Sequence, residues 1–391
     1  MNESGDIVYL DYAATTPVDP RVAAYMARFL TADGVFANPS AIHVAGRQAS
    51  DIIELAASRL ASLLHCDVRQ LIWTSGATES NNLAILGAVR ARAHRGKHFI
   101  TMPTEHKAVT DVFRHLESQG FDGTWLPPTE SGRLNPDALR DAIREDTQLA
   151  SVMYVNNETG VLQDLETLGT ICRENDVLFH VDAAQGVGKL PFDLSALPVD
   201  LASITAHKLH GPKGIGALYI AGQTGGHIEP ITYGGGQQRR LRPGTLPVHL
   251  IAGFGLAAEI AAETMHDDLT HTTRLRAQLW SGIADIDGIL LNGDPDVHYP
   301  GILNVSIDDI EGESLLLALE PLCVATGSAC NSRNQEPSYV LRAVGRSDEL
   351  AQSAIRFSFG RMTTPDDIEF AIGKYTSAVA RLRSIVPPRA A

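Results

Sequence analysis

Between about residue 20 and about residue 265, short apolar runs alternate with segments whose apolar positions recur at helical spacing. This alternation is typical of a mostly parallel β-sheet that is covered by helices. The apolar runs predict strands over Gln70–Ser75, His98–Met102, Leu149–Val155, Val177–Asp182 and Leu201–Thr205. We therefore expect an α/β fold with a mostly parallel sheet.

The pattern changes after about residue 265. A helix rich in alanine and leucine is predicted from Glu259 to about Leu279, and it leads out of the first region. The elements predicted beyond it are shorter strands over Ile302–Ile307 and Ser353–Phe359 and helices near Glu313–Leu319 and Asp366–Leu382. This mixture favours a smaller α+β domain, which the extreme N-terminus would join. We predict a large domain over residues 18–265 and a small domain made of residues 1–17 and 266–391.

Polar residues lie at or just after the end of every predicted strand of the large domain. In chain order they are Gly76-Ala77-Thr78, Glu105-His106, Asn156-Asn157, Asp182 with Gln185, and His207-Lys208. Open α/β sheets bind ligands at the carboxyl ends of their strands. The recurrence therefore predicts one shared site at that edge of the sheet.

The first of these segments reads TSGATESNN, from Thr74 to Asn82, and it carries small residues between a strand and an amphipathic helix. The amide groups and the dipole of a helix N-terminus favour a phosphate. An ordinary capped turn has the same composition. The segment therefore leaves both interpretations open until the other strand ends are considered.

Lys208 and Asp182 decide between them. A lysine amine at a strand end can form a Schiff base with an aldehyde, although a single lysine is usually a solvated surface charge. Asp182 follows a buried strand, where a carboxylate needs a cation or hydrogen-bond donors, and a protonated pyridine nitrogen is one such partner. A helix N-cap or a salt bridge would also explain Asp182. Taken with the phosphate turn, the pair predicts a pyridoxal-phosphate enzyme.

The charge and the N-terminus narrow the class further. The 391 residues include 32 Lys plus Arg against 46 Asp plus Glu, a formal charge of −14, which disfavours direct nucleic-acid binding. The first residues contain acidic groups and lack a basic region followed by an apolar stretch, so a secretory signal is not expected. No apolar run reaches the ~18 residues needed to span a bilayer. We expect a cytoplasmic protein without a membrane anchor.

The cysteines point to a reducing compartment. Four cysteines with no CxxC pair fit neither a disulfide framework nor a zinc site, so no metal is expected. Cys323 lies among apolar residues in PLCVA and is interpreted as buried, and Cys172 and Cys66 are interpreted as structural thiols as well. Cys330 lies among small and polar residues in ATGSACNSRNQEPSY, which predicts an exposed loop and a thiol available for chemistry.

A family resemblance joins these features. The motifs are LDYAATTPVDPRV, NPSAIHVAGRQA, TSGATESNNLAI, TEHKAV, VNNETGVLQD, HVDAAQGVGKLP, TAHKLHGPKGIGALYI, RPGTLPVH, NVSIDDIEGESLL, TGSACNS, EPSYVLRAVG and IRFSFGR, and they run from residue 10 to about residue 361. In this order they resemble the cysteine desulfurases of the NifS/IscS type, which are pyridoxal-phosphate-dependent enzymes of the class V aminotransferase fold. The resemblance implies fold type I of the pyridoxal-phosphate-dependent transferases.

The resemblance also implies residue roles. It assigns cofactor contacts to Ala77, Thr78, His106, Asp182, Gln185, Thr205, His207, Lys208 and, from the partner subunit of a homodimer with shared active sites, Thr245. It assigns catalysis to Lys208, Cys330 and His106 and the substrate carboxylate to Asn157 and Arg356. In this scheme Lys208 holds the cofactor and moves the Cα proton. Asp182 keeps the pyridine nitrogen protonated, Gln185 bonds the phenolic oxygen, and His106 stacks on the ring.

The implied reaction converts L-cysteine to L-alanine and leaves the sulfur on Cys330 as a persulfide. The persulfide would then pass to an acceptor protein, either an iron–sulfur cluster scaffold or an enzyme of thio-modification. A selenocysteine lyase or another pyridoxal-phosphate enzyme of the same class is the main alternative, and Cys330 argues against it. A non-catalytic scaffold of the same fold is disfavoured because Lys208, Asp182, His106 and Arg356 are all present.

Overall fold

The computed structural model describes residues 7–222, 228–326 and 336–385. Within these ranges the strands are β1 (Val8–Tyr9), β2 (Leu71–Thr74), β3 (His98–Thr101), β4 (Asp122–Trp125), β5 (Thr147–Ser151), β6 (Leu178–Asp182), β7 (Leu201–Thr205), β8 (Gly216–Ile220), β9 (Ile289–Asn292), β10 (Ile302–Ile307), β11 (Leu322–Cys323), β12 (Ala325–Thr326) and β13 (Ile355–Ser358). The α-helices are α1 (Pro20–Ala27), α2 (Val44–Leu64), α3 (Ala77–Ala91), α4 (Lys107–Ser118), α5 (Pro136–Ala142), α6 (Leu165–Glu174), α7 (Val248–Ile283), α8 (Gly312–Ala318), α9 (Tyr339–Ala343), α10 (Asp348–Gln352) and α11 (Pro365–Ile385). The predicted α/β class is confirmed.

The main sheet has the strand order β2-β8-β7-β6-β5-β3-β4. Its strands run parallel except β8, which is antiparallel to both β2 and β7. All five strands predicted in this region are present. The third is shifted, since β5 begins at Thr147 and ends at Ser151, four residues before the predicted end at Val155.

Two strands of the main sheet were not predicted. β4 reads DGTW and carries no apolar run, because it forms a partly exposed edge of the sheet. β8 reads GALYI and is fully buried between β2 and β7. Its place between two strands that are distant in the chain could not be read from local pattern.

Helix α7 passes from one hydrophobic cluster to another. Residues Val248 to Ala261 pack in the cluster beneath the main sheet, whereas Leu275, Leu279 and Ile283 pack with the later strands and helices. Gly255 allows this helix to lie close to α2, since a Cβ there would stand 2.5 Å from the Ala56 Cα.

Among the described residues, α7 is the one helix long and apolar enough to cross a bilayer by length and composition, and 56% of its apolar window is buried inside the protein. The sequence expectation that no segment meets this length criterion therefore needs correction. The packing of α7 in the interior is that of a core helix.

The later part of the chain forms an antiparallel sheet with the order β12-β13-β10-β9. The N-terminal strand β1 pairs with β11, and Leu10 lies in the same hydrophobic cluster as the strands of this sheet. The two clusters agree with a large domain over residues 18–265 and a small domain from residues 1–17 and 266–391. That division stays a prediction.

Candidate functional site

A cavity of about 600 Å³ opens at the carboxyl ends of the parallel strands. Most of the residues predicted for the site line it, namely Ala77, Thr78, His106, Asn157, Asp182, Gln185, Thr205, His207, Lys208 and Arg356. Segments far apart in the chain therefore meet at one place, as expected for the crevice of an open α/β sheet.

Two further residues were predicted for the site, Thr245 and Cys330. Thr245 is exposed and is not part of the cavity wall of its own chain. Cys330 falls within residues 327–335, outside the described residues. The roles given to both residues stay predictions.

The turn before α3 is built by close backbone approach. Thr74 pairs with Gly216, and Gly216 pairs with Thr205, so the turn and Thr205 lie side by side across three strands. A Cβ on Gly216 would stand 2.6 Å from the Gly76 Cα, and Gly76 has a φ of +154°, so both positions favour glycine. The amide groups at the start of α3 consequently face the cavity beside a threonine hydroxyl, an arrangement suited to a phosphate.

Lys208 ends the short 3₁₀ turn that follows β7. Its Nζ atom donates to the carbonyl oxygens of Ala13 and Ala14, the latter at 2.6 Å. The N-terminal segment therefore reaches the wall of the cavity and holds the lysine amine there.

Asp182, the last residue of β6, is 5% exposed. Its Oδ2 atom accepts from Asn81 Nδ2 at 2.8 Å, and its Oδ1 atom accepts from the backbone NH of Ala184 at 3.0 Å. Asp182 therefore supplies a buried, hydrogen-bonded carboxyl group to the cavity wall, where a cationic ring nitrogen would suit it.

Two histidines in the wall are held by their Nδ1 atoms. His106 precedes α4, and its Nδ1 accepts from the backbone NH of Ala108 at 3.0 Å, which leaves its ring proton on Nε2. His207 Nδ1 lies 3.1 Å from Thr15 Oγ1. Burial, together with the charges of nearby lysines, Lys208 first among them, lowers the pKa of His207 to about 4. His207 is therefore neutral near pH 7.

Arg356 supplies a cation to the wall from β13. It is 5% exposed; its guanidinium donates to Asp11 Oδ1 at 2.7 Å and to the Asn157 carbonyl at 2.8 Å. Arg356 Nε and Asn157 Oδ1 are buried without a hydrogen-bond partner among the described residues. Buried polar atoms are rarely left unpaired, so this corner favours a polar ligand that carries an acceptor for the arginine.

The sequence matches the model of the aminotransferase class-V family over residues 8–370. It is 51% identical over 381 residues to a cysteine desulfurase IscS of Colwellia psychrerythraea, covering 97% of this chain and 94% of that protein. The chain belongs to this family, among the cysteine desulfurases of the NifS/IscS type. The class V fold and the resemblance noted from the motifs are thereby confirmed.

Solved structures of class V relatives agree with the described fold. A NifS-like protein matches with a TM-score of 0.90 and 35% identity, covering 96% of this chain and all of that chain. SspA in complex with cysteine matches with a TM-score of 0.81 and 35% identity, covering 90% of this chain and 98% of SspA.

The class V site also contains residues that sequence reasoning missed. They are Asp11, Asn81, Glu158 and Lys189, which are buried or partly buried around the predicted residues, and Glu105 joins them as a strand-end residue to which no role was given. Burial raises the pKa of Glu105 well above its ordinary value and that of Glu158 to about 7. Lys189 follows Gln185 by four residues, and Asn81 lies on the apolar side of the α3 sequence. Polar residues at such inward-facing positions were the sequence signal that could have identified both as site residues.

The other cysteines of the described chain behave as packing residues. Cys66 is partly buried and Cys172 is buried, and burial raises the pKa of each thiol to about 12. Cys323 was expected to be buried, but it is only partly so, because β11 pairs with the short strand β1 at an edge. The three thiols are free, and the described residues hold no cluster of His, Cys, Asp and Glu able to bind a metal.

The donor set of the cavity fits pyridoxal phosphate. It combines an amine on Lys208, a buried carboxylate on Asp182 and helix amides at α3, and unpaired polar atoms remain at Arg356 and Asn157. Each is the group type that one part of the cofactor or of an amino-acid substrate requires.

Proposed function

We propose that this chain is a pyridoxal-phosphate-dependent cysteine desulfurase that works from the cavity lined by Lys208 and Asp182. The observation that carries the proposal is the meeting of an amine, a buried carboxylate and a helix N-terminus at one edge of the sheet. The relatives named cysteine desulfurase indicate the substrate, L-cysteine.

Cofactor binding falls to two sets of groups in the cavity wall. The amides at Ala77 and Thr78, with Thr205 and His207, hold the phosphate. The Asp182 carboxylate, fixed by Asn81, keeps the pyridine nitrogen protonated. When bound, the cofactor supplies an electron sink that stabilises negative charge at the substrate Cα.

Lys208 has two tasks in this scheme. It binds the cofactor covalently, and once released it takes and returns the proton at the substrate Cα. An amine does this only when it is unprotonated. His106, which carries its ring proton on Nε2, presents its ring to the cavity and assists the transfer.

The substrate carboxylate is bound by Arg356 and Asn157. A planar carboxylate matches the fork of a guanidinium, and Arg356 Nε is still unpaired among the described residues. Asp11 already accepts from another nitrogen of the same guanidinium and holds the fork in place.

Sulfur transfer falls to Cys330. The Cys330 thiolate attacks the substrate sulfur; a sulfur–sulfur bond forms as the Cβ–sulfur bond breaks, and the carbon skeleton takes up a proton and leaves as L-alanine. L-cysteine and the Cys330 thiol thus give L-alanine and a Cys330 persulfide. The persulfide then passes its outer sulfur to an acceptor protein, an iron–sulfur cluster scaffold or a thio-modification enzyme, in the cytoplasm.

The proposed assembly is a homodimer in which Thr245 of the partner subunit completes the phosphate site. The exposure of Thr245, away from the cavity of its own chain, supports this arrangement. A selenocysteine lyase would share Lys208 and Asp182 and would not depend on Cys330.

The decisive experiment measures alanine and sulfide from L-cysteine in the presence of a reductant, together with the visible absorbance of the bound cofactor. We expect Lys208→Ala protein to lose covalently bound cofactor and both products. Cys330→Ser protein keeps the absorbance and loses sulfide, whereas the matched control Cys323→Ser retains both. Sulfide release that survives Cys330→Ser would remove the role of Cys330, and wild type that stays colourless with added cofactor would overturn the proposal.

A further inference from the structure

Lys189 lies directly behind the predicted cofactor residues and has no part in the scheme above. Its Nζ atom donates to Gln185 Oε1 at 2.9 Å and lies 5.3 Å from the centre of the Tyr299 ring. The Gln185 Nε2 atom donates in turn to the Ala13 carbonyl at 2.7 Å, which also accepts from Lys208. A continuous hydrogen-bonded path therefore leads from Lys189 to Lys208.

The backbone fixes both ends of this path. Gly188, with a φ of +76°, makes the turn before Lys189. A Cβ at Gly188 would stand 3.0 Å from the Leu209 Cβ, so this turn packs against the residue that follows Lys208. The distance between the two lysines is therefore set by packing.

The chemistry of a lysine ammonium removes an ambiguity at Gln185. The oxygen and nitrogen of a glutamine amide have nearly the same shape, and hydrogen-bond partners decide which way the group points. Below its pKa Lys189 is an ammonium group with donors only, so it faces the amide oxygen, and its Nζ atom is the donor to Gln185 Oε1. The Gln185 nitrogen must then point to the other side, where Ala13 and the cavity lie.

We infer that Lys189 is a positioning residue: it holds Gln185 Oε1 so that the Gln185 amide nitrogen is the atom turned toward Lys208 and the cavity. One N–H of this amide bonds Ala13, and the second has no acceptor among the residues that the structure describes, so it can serve a ligand oxygen. The inference rests on the proposed function, in which that oxygen is the phenolic oxygen of the cofactor. Lys189 acts through Gln185 and does not touch the reacting atoms.

Lys189 is surrounded by other ionisable groups. Burial, and after it the positive charges of Lys208 and Arg356, lower the pKa of Lys189 to about 7, and the charge of Lys189 acts in turn on His207 and His210. A loss of Lys189 therefore changes both the orientation of Gln185 and the local charge. The test has to separate these two effects.

The readout is the pH midpoint of the visible absorbance of the Lys208-bound cofactor. The protonated nitrogen on Lys208 donates a hydrogen bond to the phenolic oxygen of the cofactor. When this nitrogen loses its proton, the phenolic oxygen stays negatively charged but loses that donor. A Gln185 N–H then favours the deprotonated form and lowers the midpoint. Removing that donor raises the midpoint by about one pH unit, since a hydrogen bond to a charged group is of that strength.

The experiment titrates holoenzyme carrying Gln185→Leu, Lys189→Met, both changes, or Lys189→Arg. We expect Gln185→Leu to raise the midpoint and Lys189→Met to raise it in the same direction. The double variant should match Gln185→Leu alone to within ~0.3 pH units, because a residue that acts through Gln185 has no effect without it. Lys189→Arg, which also has donors only, should keep the wild-type midpoint.

Three results would overturn the inference. A Lys189→Met midpoint equal to wild type leaves Lys189 without a positioning role. A Lys189→Met shift that is retained in full on the Gln185→Leu background shows that Lys189 acts by charge alone. An unchanged midpoint in Gln185→Leu removes the Gln185 contact from the proposed function, and the role of Lys189 falls with it.

Discussion

Glu158 offers the sharpest quantitative test of the site. Its side chain is buried on the cavity wall, and Oε2 accepts from Ser338 Oγ at 2.5 Å. Burial raises its pKa from 4.5 to about 7, against the opposing effects of the Ser338 bond and of the positive charges of Arg356 and His106. The perturbation is Glu158→Gln, which keeps the shape and an acceptor for Ser338 but cannot ionise.

The sign follows from proton binding. Between pH 4.5 and about 7 the folded protein holds a proton on Glu158 that the unfolded chain has released, so this residue makes the fold less stable as the pH rises through that window. With ~1.4 kcal/mol per pH unit, the loss between pH 5 and pH 8 amounts to ~2.5 kcal/mol. Glu158→Gln removes this loss.

The assay is thermal unfolding of wild type and Glu158→Gln at pH 5 and at pH 8, with the cofactor loading of both proteins matched. The compared quantity is the melting temperature of the variant minus that of wild type. We expect this difference to be about 3 °C larger at pH 8 than at pH 5 for a chain of this length. The exposed Glu145, changed to Gln, is the control and should show no such gain. A difference in melting temperature between variant and wild type that is the same at pH 5 and at pH 8, or that shifts in favour of wild type at pH 8, would refute the reasoning.

Three further predictions concern other residues. Asn81→Ala removes one of the two described hydrogen bonds to the Asp182 carboxylate and should cost ~1–3 kcal/mol in denaturant unfolding; an unchanged midpoint would contradict the pairing. Arg356→Lys loses the guanidinium fork and should raise the KM for L-cysteine about 10- to 100-fold with a smaller change in kcat, whereas an unaltered KM would separate Arg356 from the substrate. Burial raises the pKa of Cys66 and Cys172 to about 12, so iodoacetamide at pH 8 should label both thiols at least ~100-fold more slowly in the native protein than in urea. Mass spectrometry measures the two labelling rates. Equal rates would show that these thiols are accessible in the native protein.

Much of the candidate site could be predicted because its residues follow strand ends. An apolar run followed by Asp182 or by His207-Lys208 is visible in the sequence, and parallel strands bring their carboxyl ends to one edge of a sheet. The prediction that these residues line a common cavity therefore needed no knowledge of the strand order. The motif order along the chain identified the family by the same local information.

The strand order itself was beyond local pattern. β8 lies between β2 and β7 although about 140 residues separate β2 from it, and its buried sequence resembles any other apolar run. Hydrophobic periodicity reports that a strand is buried and not which strands flank it. The edge strand β4 was missed for the opposite reason, since an exposed edge carries little apolar signal.

The sequence by itself determined most of the side chains that line the candidate site, because residue type and position after a strand are local properties. The tertiary structure alone decided which partner satisfies each buried polar group. Asn81 meets Asp182 across 101 residues, Ser338 meets Glu158 across 180, and Arg356 meets Asp11 across 345. A buried carboxylate requires a donor, but any donor in the chain could meet that requirement, and only the packing of the folded chain selects one.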